Sequence, residues 1–217
     1  MSEYVNTSHS VYSVSPLGPA IMLDTQSKQG SNRVSIYERN SLMRQKGHVS
    51  VSIFALLFSE MVQYYQSRVD DIADLERKLE ESGYGIGQRL IELVGCRERV
   101  TKRETKIVNM LQYITNVIWK HLFNKAADNL ERSMENQDEY MIHETMPVTN
   151  TFVSVPEDMG SFNCASFTAG IIAGVLDSAF FPAVVTAHLI SKEDQTPPAT
   201  VYLIKFKPEV VEREATH

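Results

Sequence analysis

From residue 49 the chain reads "VSVSIFALLFSEMVQYYQSR", and its apolar positions recur with a helical period on two faces at once. One stripe holds Ile53, Leu56, Leu57, Met61 and Tyr64, the other Phe54, Phe58, Val62 and Tyr65. A helix with one apolar stripe coats a core, whereas one apolar around most of its girth has two surfaces to bury against. A domain of this size has one core. The second stripe, Phe54, Phe58, Val62 and Tyr65, is therefore expected to face a permanent protein partner.

"DDIADLERKLEES" predicts a short amphipathic helix with Ile72, Leu75 and Leu79 inward and acidic residues in its first turn. "GYGIGQRLIE" (residues 83–92) follows, and three alternating glycines raise the question of a phosphate-binding loop. A dinucleotide fingerprint needs G-x-G-x-x-G between a strand and a helix. Here the third position is Gln88, the preceding segment is helical, and no Gly-Lys-Ser or Gly-Lys-Thr is present. The glycines are read as packing residues: Gly83 ends one helix in the left-handed conformation, and Gly85 and Gly87 let the next start close to a neighbour.

A helix "IGQRLIELVGCRE" and a charged link lead to "ETKIVNMLQYITNVIWKHLF", whose stripe is Ile107, Leu111, Ile114, Ile118 and Leu122. The charged "KAADNLERSMENQDE" closes the helical half. The period then changes: "EYMIHETMPV" and "NTFVSVP" predict two strands, "NCASFTAGIIAGVLDSAF" a helix, and "PAVVTAHLI" and "ATVYLIKF" two more strands. Segregated helices and hairpin-like strands argue an α+β fold with an antiparallel sheet. Gly170 and Gly174, beside Ala169 and Ala173, are expected to lay that last helix close to its own sheet. Residues 1–47, rich in Ser, Asn, Thr and Gln with no sustained apolar period, read as a tail ahead of one domain at 48–217.

Composition narrows the function. The 217 residues carry a net charge of −6, a poor match to the basic surface that duplex nucleic acid demands. The first residues lack the basic flank and apolar run of a signal peptide. Two cysteines are too few for a disulfide framework or a zinc site, and the histidines show no metal-ligand spacing, so no metal or cofactor is expected. One catalytic pairing is conceivable: Cys164 at a helix start as nucleophile and His188 on a later strand as base, oriented by Asn163 or Asp177. That makes a papain-like thiol enzyme the alternative reading.

The segments "GYGIGQRLIE", "KRET", "IWKHLF", "NCASFTAGII", "FPAVVTAH" and "VYLIKF", in this order over about residues 48–213, resemble the small-subunit family of TRAPP, the transport protein particle. The resemblance implies helices packed on one side of a twisted four-stranded antiparallel sheet, and pairing through the first helices. It implies subunit 3 on the pairing face, the sedlin-like subunit 2 elsewhere, and a Rab GTPase met through the assembled complex. That complex would be a nucleotide exchange factor and vesicle tether between endoplasmic reticulum and Golgi. The chain would be a cytoplasmic, non-catalytic scaffold, peripheral at cis-Golgi and endoplasmic reticulum membranes. Subunit 3 carries an acylated cysteine four residues before its R-E-T. Here that position is Arg99 and the nearest thiol is Cys96, so acylation is not expected, and Trp119 and Phe123 would fill the lipid tunnel instead.

Overall fold

The computed structural model describes residues 50–100, 102–155, 159–160, 162–190 and 199–216. The predicted tail and its boundary at residue 47 lie outside them. In chain order the elements are α1 (Val51–Gln66), α2 (Ile72–Arg97), α3 (Ile107–Tyr113), a π-helical turn (Ile114–Ile118) and α4 (Trp119–Phe123). There follow β1 (Asn129–Arg132), β2 (Glu139–Glu144), α5 (Val148–Thr151), α6 (Ser166–Ser178), β3 (Ala183–Ile190), β4 (Ala199–Phe206) and α7 (Pro208–Ala215). The fold is α+β. Four antiparallel strands form one sheet in the order β1-β2-β4-β3.

The register explains the layering. Tyr140 faces Ile204, Ile142 faces Tyr202 and Glu144 faces Thr200, while Val185 also faces Ile204. All seven of these side chains are buried, and most of their alternates along the strands are partly or fully exposed. A strand's side chains alternate between faces, so one face of the sheet takes the helices. Against it lies α6, which is buried at every residue from Ser166 to Leu176. A helix apolar on all sides needs cover on all sides, and α2 supplies the second layer.

The contact between α2 and α6 is made backbone to backbone. A Cβ placed on Gly83 would run into the Phe167 carbonyl, and one on Gly87 into that of Ile171. Reciprocally, Gly170 meets the Glu80 carbonyl and Gly174 that of Tyr84. Two G-x-x-x-G faces are thus pressed together, the small-residue arrangement that lets helix axes approach most closely. Polar clasps flank the seam: the Asn163 amide donates to Glu76 Oε1 at 2.7 Å, and the Tyr84 hydroxyl to Asp177 Oδ2 at 2.5 Å.

Several expectations are corrected. Gly83 does not end a helix: α2 runs unbroken through it, and no described glycine has positive φ. A glycine interrupts a helix only when nothing compensates its entropy, and here α6 does so. Gly85 has nothing closer than the tip of Arg89 and takes no part in the seam. Gly170 and Gly174 approach α2 and not the sheet. The described part of "NTFVSVP" (residues 150–155) is not a strand, because the chain turns after Pro147 into α5. The missing strand is β1, inside the charged run. Only Leu130 among its residues is apolar, so a short edge strand left no alternation to read.

Strand β3 is launched by a tight turn. Phe181 N–H bonds the Leu176 carbonyl at 2.8 Å and Phe180 N–H that of Asp177 at 2.9 Å, a Schellman closure of α6. Phe180 holds the left-handed position (φ 65°) where glycine is usual. Arg103 and Arg213 bracket it, bonding the Ala179 and Phe180 carbonyls at 3.0 and 2.8 Å.

The seam makes a differential prediction for chemical unfolding. Gly83→Ala or Gly170→Ala should destabilise the protein by about 3 kcal/mol as backbones are forced apart. Gly85→Ala should stabilise it by about 0.5–1 kcal/mol, since it improves helix propensity and meets nothing.

Candidate functional site

Helix α1 starts at Ser50, whose hydroxyl accepts a bond from Ser52 N–H at 3.3 Å, a side-chain N-cap. Its two stripes part company in the fold. Phe58 and Val62 are buried, and Phe54 and Tyr65 pack partly buried against the same core. Phe54 stacks on Phe58 at 5.6 Å, Phe58 meets Phe167 of α6 at 5.3 Å, and the Tyr65 hydroxyl reaches Ser82 Oγ of α2 at 2.7 Å. The stripe expected to meet a partner is therefore the one that meets the chain's own core.

The opposite stripe is left outside except at Met61, which packs partly buried against the core. Ile53, Leu56, Leu57 and Tyr64 are 58%, 70%, 69% and 54% exposed, with Val51 at the same end at 50%. Single exposed apolar residues are ordinary, but a contiguous row of large ones along a helix marks an interaction surface. Sequence periodicity found both stripes. It could not say which faced inward, because each is equally apolar.

The conceivable catalytic pair falls apart. Cys164 is buried, lying ahead of α6 in the lining of an apolar cavity of about 310 Å³ beside Met146, Phe162 and Val153. Burial first, and then the charge of Glu76, pushes its thiol up to about 12. A nucleophilic cysteine needs the opposite shift. His188 is exposed, with Nε2 at 2.8 Å from Thr186 Oγ1 of its own strand. Asn163 is spent on structure, accepting from Ala165 N–H at 3.0 Å and donating to the Ala187 carbonyl at 3.2 Å. Asp177, at the far end of α6, holds Tyr84. Among the described residues no cluster of three or more His, Cys, Asp or Glu side chains could hold a metal, and no helix is long and apolar enough to cross a membrane.

Among the described residues the one buried charged side chain is Glu144, at the end of β2. Trp119 Nε1–H donates to one of its oxygens at 2.5 Å and Lys125 Nζ pairs with the other at 2.6 Å. Burial raises its pKa, and these two donors oppose the shift. Trp119 is fully buried and sits edge-on to Phe123 and Tyr202. The cluster ties α4 to the sheet and presents no open ligand space.

The family described as "Transport protein particle (TRAPP) component" matches residues 54–207, which span the sheet, α6 and nearly all of α1. The chain belongs to the TRAPP component family. "Trafficking protein particle complex subunit 5" of Dictyostelium discoideum is 52% identical over 84% of this chain and 97% of its own length. The Homo sapiens protein of that name is 41% identical over 80% of this chain and 89% of its own. Among solved structures, a trafficking protein particle complex subunit 3 from Naegleria fowleri, covalently bound to palmitic acid, superposes with a TM-score of 0.60. It shares 20% identity over 72% of this chain and 95% of its own. That likeness is one of fold. In this TRAPP family member Arg99 occupies the position four before the R-E-T, and Cys96 is exposed near the end of α2.

Iodoacetamide treatment of the native protein, read by mass spectrometry, should separate the two thiols. Exposed Cys96 is alkylated readily at mildly alkaline pH, while Cys164, protonated until about pH 12, reacts only on unfolding. His188→Ala should leave the Cys164 rate unchanged.

Proposed function

We propose that the chain is a non-catalytic scaffold subunit of the TRAPP vesicle-tethering complex and pairs with another small subunit through the exposed face of α1. The observation that carries this reading is the row Ile53, Leu56, Leu57 and Tyr64, each more than half exposed in a chain whose core is already complete. Relatives bearing the name of a complex subunit support it. A helix face of this kind buries well against a similar helix, ridges into grooves. In this reading subunit 3 covers α1, the sedlin-like subunit 2 binds elsewhere, and exchange activity toward a Rab GTPase belongs to the assembled complex. The chain then acts at the cytoplasmic surface of endoplasmic reticulum and Golgi membranes as a peripheral component. Trp119 and Phe123 occupy the volume that an acyl chain takes in subunit 3.

The two stripes of α1 give a test that separates assembly from folding. Changing Leu56 and Leu57 together to Asp should abolish co-purification with other TRAPP small subunits and leave the melting temperature of the isolated chain nearly unchanged. Phe58→Asp should instead unfold it, costing about 4 kcal/mol or more for a lost core ring and a buried charge. Normal assembly by the double Leu variant would overturn the pairing face.

A further inference from the structure

The two edges of the sheet are built differently. Edge strand β1 has four residues, "NLER", of which two are charged. Short length and charge are how proteins keep sheet edges from pairing. Edge strand β3 has eight residues, "AVVTAHLI", in unbroken register with β4 from Ala183 to Ile190. It contains no Lys, Arg, Asp, Glu or Pro and no bulge. It exposes an apolar side chain on each face, Val184 at 57% on the outer face and Leu189 at 42% on the face it shares with buried Val185. Such an edge is a template for another strand.

The direction of its free groups follows from one bond. The Ala187 carbonyl accepts from Asn163 Nδ2 at 3.2 Å and so points away from β4. In an antiparallel ladder, N–H and C=O of one residue point the same way and successive residues alternate. Val185 and Leu189 therefore also direct their backbone groups to the open side. Among the described residues, nothing else occupies them.

Beside this edge lies a cavity of about 630 Å³, walled by β3, by Gly160 and Asn163 ahead of α6, by Ser166 and Ala169 of α6 and by the first half of α2. The α2 wall carries Glu76 and Glu80. Burial raises both carboxyl pKa values, and no cation among the described residues pairs with Glu80. The one cation on this wall, Arg77, is already held by Asp74 at 2.7 Å and Glu81 at 3.1 Å. Glu76 already accepts the Asn163 N–H at 2.7 Å and has His188 nearby, whereas Glu80, a half-buried carboxylate without a cation partner, complements a cation brought by a ligand.

We propose that the open edge of β3 and the acidic wall of α2 form a docking groove for an extended, lysine- or arginine-bearing segment of a partner protein, which adds to the sheet as a fifth strand. Main-chain bonds to Val185 and Leu189, on either side of the Ala187 carbonyl that Asn163 already occupies, would supply affinity, and Glu80 would select basic side chains. The groove is separate from the α1 face and does not rest on the pairing proposed for it.

Fluorescence anisotropy with the full chain tests this directly. The probes are a fluorescein-labelled ten-residue peptide of alternating threonine and valine carrying two lysines, and its counterpart with glutamates in their place. The lysine peptide should bind at least about tenfold more tightly. Glu80→Lys should reverse the preference. Leu189→Pro, which removes an outward N–H that no sheet bond uses, should weaken both peptides. Equal binding of the two peptides, or none, overturns the proposal, as does binding indifferent to Leu189→Pro and to methylation of the peptide's alternate nitrogens. Carbodiimide cross-linking of the full chain alone covers the other occupants. Links from Glu80 to Lys28 or Lys46 of the same chain, or to a second copy, would also overturn it.

Discussion

The fold depends on two helices touching through their backbones. Had α2 carried side chains at Gly83 and Gly87, α6 would stand farther from it, and the layer between α2 and the sheet would thicken. Instead the axes close until each glycine meets a carbonyl of the other helix. That distance bears on the fully buried α6, the sheet face beneath it and the seat of Phe58 on Phe167. Four glycines in helix interiors are costly in chain entropy, and the seam offsets that cost with a long strip of close contact.

Polar groups are placed so that the seam is not held by packing alone. Asn163 links the start of α6 to Glu76 of α2 and to the Ala187 carbonyl of β3, so one side chain and its amide position three elements. At the other side of the core, Glu144 collects Trp119 and Lys125 and holds the end of β2 to α4. A buried carboxylate is tolerable only with such donors. Cys164, by contrast, is treated by the fold as a small apolar residue, which removes the chemistry that its type and position suggest.

Among the described residues the core closes without help, yet two surfaces are left uncovered: the outer stripe of α1 and the edge of β3. They differ in kind. The α1 face offers bulk apolar area suited to a permanent neighbour, while the β3 edge offers directional backbone bonds beside uncompensated negative charge. A chain that exposed both without partners would be prone to aggregate, so both features are consistent with a subunit whose surroundings are part of its design.

Much of this was legible beforehand. Periodicity located α1, the buried stripe from Ile107 to Ile118, β2, α6, β3 and β4, and the order of segments carried the family resemblance. The glycine run was recognisable as packing and not phosphate binding, because its spacing and its helical flank were both wrong for a nucleotide. The short elements were not legible. β1 is an edge strand with one apolar residue, and α5 and α7 are a turn or two long, so pattern had little to act on. Which stripe of α1 faces inward was also beyond it, since two equally apolar faces look alike until a core chooses between them. Gly83 and Gly87 could be known as places where something comes close. That the neighbour is α6, reached through an unbroken helix and not around a corner, depends on residues more than eighty positions away, and only the tertiary structure brings those carbonyls within reach.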